Sequence, residues 1–412
     1  MKKYWFIIET YVFLWKKESS VLVYNTLSGH GYTYNCTPLM SSFIDKLISP
    51  ENLYCISIDE EFLNEPSILE FVNSMQTKFC GTLFDREIFP QKPIVVVPRV
   101  NISEDVERTE SSDIFGDNVL RNLTDIFIEL TGQCNNSCPD CESIYKQTCW
   151  CHKSESTLSF RQLETIFDKI KFLNVFELHL LGGNMFAHPD WNKLLSKFNE
   201  IPCKKSFYVH YTSFLNTNEC ISKLLQVTNS VIKILIDFAN INREKHDLDL
   251  LSIWDKRFEY IFLIRSTEEY EKACNRIENG NLNAKIIPFF NSHNLSFFQE
   301  NIYLNVEDIL STSWSKNEIF ANQQLNTNDF GKIRIATNGY IYANPNYQPI
   351  GKWDDDYKKL IYNELRHGNS WRRTRDKQAI CKECIYKYLC PSPSNYVFIT
   401  IEQPKLIRNI RV

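Results

Sequence analysis

The sequence predicts an α/β fold: a partial (β/α)6 barrel of the TIM type, with a small winged-helix-like α+β unit before it and a cysteine-rich extension after it. Three observations lead there. Between Thr124 and about residue 301, six short apolar runs alternate with helical stretches, the pattern of parallel strands joined by crossover helices. Before that stretch lie β-branched runs separated by polar turns. After it, Asn338-Gly339 separates Lys332–Thr337 from Tyr340–Ala343, a strong hairpin signal.

Residues 1–85 form the first unit. Lys2 and Lys3 precede the apolar stretch Tyr4–Trp15, but Glu9 interrupts it and no small-residue cleavage pattern follows. The stretch is too short to cross a bilayer, so it reads as strand, and the chain as cytoplasmic with no membrane contact. Val12–Trp15 and Val21–Asn25 flank the polar Lys16–Ser20 as a hairpin. Ser28-Gly29-His30-Gly31 then turns the chain into Tyr32–Cys36. Thr37 followed by Pro38 starts a helix as N-cap and first-turn proline, with Leu39, Phe43, Ile44 and Leu47 on one face. A second helix begins at Asn64–Pro66 and carries Ile68, Leu69, Val72 and Met75. Residues 86–123, with Pro90, Pro93, Pro98 and the polar run Ser103–Asp117, read as a linker.

The barrel, residues 124–301, places strands at Ile126–Leu130, Phe176–Leu181, Phe207–Tyr211, Val231–Ile236, Tyr260–Ile264 and Lys285–Pro288. Ser159–Leu173 and Thr267–Asn279 are helices between them, the first opened by a Ser159/Gln162 capping box. Ligands in such an architecture bind at the C-terminal ends of the strands. Residues 302–412 add the hairpin, a helix at about Tyr357–Arg366 and the segment Cys381–Cys390.

A net charge of −4 excludes a general nucleic-acid binder, which needs a basic surplus to neutralise phosphates. Of 14 cysteines, Cys36, Cys55, Cys80, Cys203, Cys220 and Cys274 lie singly in apolar or helical contexts and read as inert buried thiols. The rest fall into two groups: Cys134, Cys138, Cys141, Cys149 and Cys151, then Cys381, Cys384 and Cys390. Cys134, Cys138 and Cys141, spaced CxxxCxxC, follow the first barrel strand directly. Soft thiolates suit iron–sulfur clusters. Zinc is the alternative, with Cys149, Cys151 or His152 as its fourth ligand, and an incidental loop is a third reading.

The spacing and placement of Cys134, Cys138 and Cys141 resemble the radical SAM superfamily. The resemblance implies a 4Fe–4S cluster on these three thiolates, with the fourth iron binding S-adenosylmethionine (SAM). An external electron donor would reduce the cluster to generate a 5′-deoxyadenosyl radical. Gly182-Gly183-Asn184 after the second strand is similar to the family's glycine motif, which holds the SAM amino group. Asp237, at the end of the strand Ile234–Ala239, resembles the residue facing the SAM ribose; a loop-capping aspartate is the other reading. Two positions depart from the pattern: Asp140 stands where an aromatic residue is usual, and Asn184 where an acidic one is.

The first unit resembles a PqqD-like recognition element, which implies that it binds a leader peptide as an added strand. Cys381, Cys384 and Cys390 resemble the end of a SPASM-type extension, which implies an auxiliary iron–sulfur cluster. That ligand set is short: Asn344-Pro-Asn-Tyr replaces one usual cysteine and Pro391–Tyr396 another. An incomplete cluster site, a zinc site and a vestige all remain open. Tyr145-Lys146-Gln147, Cys149-Trp150-Cys151, Trp371-Arg372-Arg373 and the proline-serine tail resemble a Bacteroidetes-type group of maturases that includes pseudo-radical-SAM proteins paired with a second, active maturase. The expectation is a radical SAM maturase of a ribosomally made precursor peptide; the alternative is a non-catalytic peptide-binding partner. The resemblance does not imply which bond is made.

Overall fold

A computed structural model describes residues 2–94, 119–238 and 256–399. Two three-stranded antiparallel sheets build the N-terminal unit. In one, β1 (Lys3–Ile8) lies between β5 (Cys55–Asp59) and β6 (Gly81–Asp85); in the other, β2 (Val12–Lys17), β3 (Ser20–Asn25) and β4 (His30–Asn35) form a meander. The meander matches the strands expected from the sequence, whereas β5 and β6 are additional to them. Both are five-residue strands in which only part of the pattern is buried, so neither shows a clear apolar signal. Helix α1 (Pro38–Ile48) starts as expected, with Thr37 accepting from the Met40 N–H. Its buried face is Met40, Phe43, Ile44 and Leu47; Leu39, expected inside, is exposed. The short α2 (Glu60–Leu63) precedes α3 (Pro66–Thr77), which buries Ile68, Phe71, Val72 and Met75 in the core under both sheets.

The central sheet runs in the order β12-β11-β10-β9-β8-β7-β13-β14-β15. Its six consecutive parallel strands are β7 (Asp125–Glu129), β8 (Glu177–Leu181), β9 (Lys204–His210), β10 (Ser230–Asp237), β11 (Phe258–Ile264) and β12 (Ala284–Pro288). Connecting helices include α4 (Cys141–Thr148), α5 (Phe160–Ile170), α6 (Trp191–Glu200), α7 (Tyr211–Asn216), α8 (Asn218–Leu224) and α9 (Thr267–Gly280). Both halves of the Ser159/Gln162 capping box are present. The central strands β8–β11 are buried on both faces, as parallel strands under helices require, whereas β12 at the sheet edge is only partly covered. Ile126, Ile128, Leu178, Leu180, Phe207, Val209, Ile232, Ile234 and Phe262 pack outward against the helices.

Inward, the strands carry polar groups at their N-terminal ends. Glu177 accepts from Lys204 and Lys233, each at 2.9 Å, and also from the Ser206 hydroxyl. Burial works to raise the Glu177 pKa, but these bonds prevail and hold it at about 2. His179 bonds Asp125 at 2.9 Å and Tyr208 at 3.2 Å. Nearer the C-terminal ends the lining turns apolar, where Leu235, Ile261, Leu263 and Phe289 surround Trp150. The barrel is thus closed by ion pairs at its base and opens at the strand ends.

β13 (Lys332–Ile335) pairs in parallel with β7, and β14 (Tyr340–Tyr342) returns against it with Gly339 at φ +82° in the turn. The expected hairpin therefore extends the barrel sheet. Val119 and Leu123, read from sequence as linker, are buried in the barrel core; Pro98 and Ser103–Asp117 lie outside the described residues, as does Ala239. Helices α10 (Leu295–Asn301), α11 (Val306–Ser311) and α12 (Lys316–Gln324) lead into the hairpin, the short β15 (Gly351–Lys352) and then α13 (Tyr357–His367). The C-terminal segment packs on the meander: Phe13, Leu22 and Tyr24 share one apolar cluster with Leu304, Ile309, Ile319, Leu389 and Cys390. Among the described residues no helix is long and apolar enough to cross a membrane.

Candidate metal centre

Cys134 and Cys138 lie on the loop leaving β7, and Cys141 is the first residue of α4. Asp140 caps that helix in the left-handed conformation, φ 59°, with no side-chain capping bond; aspartate tolerates that region better than most residues. Its position therefore serves the turn that brings Cys141 back toward Cys138. The three thiols border one cavity of about 150 Å³, together with Asn136, Ser137, Cys151, His152, Lys153, Gly183 and His210. A smaller cavity of about 20 Å³ adjoins it, lined by Cys138, Cys141 and Cys151 with Trp150, His210, Leu235, Asp237 and Leu263.

Two glycines make this packing possible. Gly182 has φ +155°, and a Cβ there would meet the Thr131 carbonyl oxygen at 2.4 Å. A Cβ on Gly183 would lie 2.6 Å from the Gln133 oxygen, 2.7 Å from the Gly132 oxygen and 3.0 Å from Cys134 Cβ. The Gly183 and Asn184 N–H groups donate to Thr131 and Gln133, each at 2.7 Å. The motif expected to face a ligand thus also pins the end of β8 against the cysteine loop. Asn184 Oδ1 accepts from the Phe186 N–H at 3.3 Å and caps the short helix Met185–Ala187.

His210, at the end of β9, was not singled out in the sequence, where it reads only as the end of an apolar run. Its Nε2 lies 4.0 Å from Cys138 Sγ. On the other side Nδ1 meets Asn136 Nδ2 at 3.2 Å and Thr212 Oγ1 at 2.7 Å. Burial pulls its pKa down to about 4, against an upward pull from Asp237, so the imidazole is neutral at physiological pH. Burial also pushes the Cys138 thiol up to about 12, with Cys141, Cys134 and Asp237 adding to the rise. Thiols so placed shed their protons only when a metal takes the charge.

The three thiols border an open space rather than a single point. Among the described residues no three His, Cys, Asp or Glu side chains converge as on one metal ion. The cysteines instead surround an open space, and a cluster binds each thiolate through a different iron.

Asp237 stands at the end of β10 beside this space. Arg265 grips its carboxylate at 2.5 and 3.1 Å. Across the barrel, Arg334 bonds Glu129 at 2.9 Å and stacks between Phe127 and Tyr145. Tyr145 donates to the same Glu129 oxygen at 2.8 Å. Beyond Trp150 lies a third cavity of about 240 Å³, lined by Cys149, Tyr208, Arg334, Asn344 and Asn395 among others. Trp150 is therefore a wall between the thiol cavity and the barrel interior.

The C-terminal cysteines sit elsewhere. Cys381 and Cys390 are buried, and Cys384 is half-buried. Arg375 Nη1 lies 3.5 Å from Cys381 Sγ, while its Nε donates to the Pro391 carbonyl at 2.7 Å. Burial pushes Cys390 up to about 12; Arg375 opposes that rise, and Cys384 and Cys381 add to it. Asn344, at the position where a SPASM-type extension usually has a cysteine, bonds Asp329 at 3.0 Å and Asn395 at 2.6 Å.

The chain matches no family model, and no curated protein matches it. The chain is similar, at low identity, to several solved structures. SuiB of Streptococcus suis is 13% identical over 98% of this chain and 99% of that one, with a TM-score of 0.46. The same SuiB bound to S-adenosylmethionine gives 12% identity, the same coverage and a TM-score of 0.42. anSMEcpe with bound AdoMet gives 13%, 65% of this chain and 87% of that one, and 0.45.

Proposed function

We propose that Cys134, Cys138 and Cys141 hold a 4Fe–4S cluster and that the chain is a radical SAM maturase acting on a ribosomally made precursor peptide. The observation that carries the reading is the placement of this triplet around a cavity at the C-terminal mouth of a partial β/α barrel. When bound, such a cluster supplies the electron that opens the SAM sulfonium, and an external donor must replace that electron. The protein's own part is to position and to exclude water. His210 and the glycine pair shape the thiol cavity. Gly182, Gly183, Asn184 and Asp237 would border the place for SAM, Gly183 and Asp237 from the walls of the thiol cavities, and the third cavity would receive the residue to be modified.

Cys381, Cys384 and Cys390 would hold an auxiliary cluster, with Arg375 offsetting thiolate charge. Residues 1–85 would bind the leader along β4, an edge strand whose Tyr32 and Tyr34 carry the Lys78 ammonium at 4.1 and 4.9 Å. Amide exchange tests this role: precursor addition should protect His30–Asn35, and protection confined to the barrel would refute it.

One set of observations favours a second reading, a non-catalytic partner of another maturase. Arg265 engages Asp237, Asn184 caps its own short helix, and Trp150 fills the barrel beside the thiols. Anaerobic reconstitution with iron, sulfide, SAM and reductant separates the two. Release of 5′-deoxyadenosine is expected from the maturase; a loaded cluster that releases none leaves the partner role.

A further inference from the structure

The segment Cys149–Thr157 is fixed at both ends and lines the thiol cavities between them. Cys149 closes α4 in the left-handed conformation, its N–H donating to Tyr145 at 2.8 Å, its carbonyl accepting from Arg334 and its Sγ accepting from Asn395 at 3.3 Å. Trp150 turns into the barrel and packs on Ile144, Leu235, Ile261, Leu263 and Phe289. Cys151 packs at the edge of the same cluster and borders both thiol cavities, next to Cys138, Cys141 and His210 in each. Past it the chain is clamped again. Ser154 N–H donates to Gly132 O and Gly132 N–H to Ser156 O, both at 2.9 Å, and Thr131 bridges Thr157. The Gly132 end of this clamp is the start of the cysteine loop itself.

We infer that Cys151 is the fourth thiolate of the cluster held by Cys134, Cys138 and Cys141, filling the iron site that the triplet alone leaves open. This rests on the cluster reading above. A thiol at the cavity wall becomes, once it loses its proton to ligation, a strong soft ligand for that iron. Ligation replaces the S–H bond with an S–Fe bond and releases a proton; no electron is gained or lost. The anchored indole of Trp150 keeps Cys151 aimed at the cavity, so ligation needs no loop rearrangement. SAM would reach the fourth iron only by displacing Cys151. Resting protein would therefore carry an all-thiolate cluster, and any SAM binding would be a ligand exchange.

The test uses the full chain, reconstituted anaerobically, as wild type and as Cys151→Ala, each also in a Cys384→Ala background to remove signals from the C-terminal thiols. A cluster with an open iron loses it on mild ferricyanide oxidation and gives a 3Fe–4S resonance. Cys151→Ala should give that signal at about tenfold higher yield than wild type, because only the variant leaves an iron without a protein ligand. Equal yields at equal iron and sulfide content would overturn the fourth-ligand assignment and leave the cluster standing. Absence of iron and sulfide from every form would instead overturn the cluster. Should the variant fail to fold, wild type alone decides. It should resist conversion to the 3Fe–4S form under the mild oxidation, and ready conversion refutes the assignment.

Discussion

The barrel and the C-terminal extension each gather cysteines, and they do so in opposite surroundings. Around Cys134, Cys138, Cys141 and Cys151 the chain leaves open space, with polar and apolar walls supplied by His210, Asn136, Gly183 and Trp150. Around Cys381 and Cys390 it leaves little, because Leu389 and Cys390 pack with Phe13, Leu22 and Tyr24 of the N-terminal meander. The same residue type is thus site lining in one region and core in the other. In sequence the two groups differ only in spacing. What separates them is the strand that precedes the first: β7 delivers its loop to the mouth of the barrel.

The largest effect should come from removing one ligand in each group. Cys138→Ala should abolish the SAM-sensitive electron paramagnetic resonance of the reduced protein. Cys384→Ala should keep that resonance while lowering total iron by about four per chain, one cluster's worth. If Cys384→Ala leaves iron unchanged, the C-terminal thiols are structural; if Cys138→Ala leaves the resonance, the barrel site is misassigned.

Gly183→Ala should act next most strongly and only on the barrel group. Its Cβ would press on two backbone oxygens of the cysteine loop at 2.6 and 2.7 Å, and backbone cannot swing aside as a flexible side chain can. Overpacking of this kind costs about 1–3 kcal/mol. Cluster loading should fall several-fold while the C-terminal centre loads normally; iron and sulfide analysis of the variant checks it.

Much of this arrangement was legible beforehand. All six barrel strands stand within a few residues of their expected places, and in β8–β11 burial on both faces writes a continuous apolar run into the sequence. The Thr37-Pro38 and Ser159/Gln162 caps were equally plain, since each satisfies backbone N–H groups through a short, local pattern. β5 and β6 were not: they pair with β1 across long intervals, and long-range pairing leaves no local mark. The role of Gly183 was legible only in half, because the sequence shows a backbone that permits close approach but not which backbone comes close. His210 was hidden for a related reason. Alternation along β9 puts it on the inner face, but only the fold brings Cys138 to it.

The smallest effect inverts the ranking of the first prediction. In the metal-free chain the cluster's contribution is gone, and what remains is packing. Cys138→Ser replaces a thiol that borders an open cavity, where a hydroxyl reaches water and His210, so its cost should stay within about 0.5 kcal/mol. Cys390→Ser places a hydroxyl among Leu389, Leu304 and Phe13 in an apolar cluster, where an uncompensated polar group costs roughly 1–3 kcal/mol. Urea denaturation of the two metal-free variants measures both. Equal costs would mean that the two groups share one environment, and that openness at the barrel mouth is not what distinguishes the cysteines there.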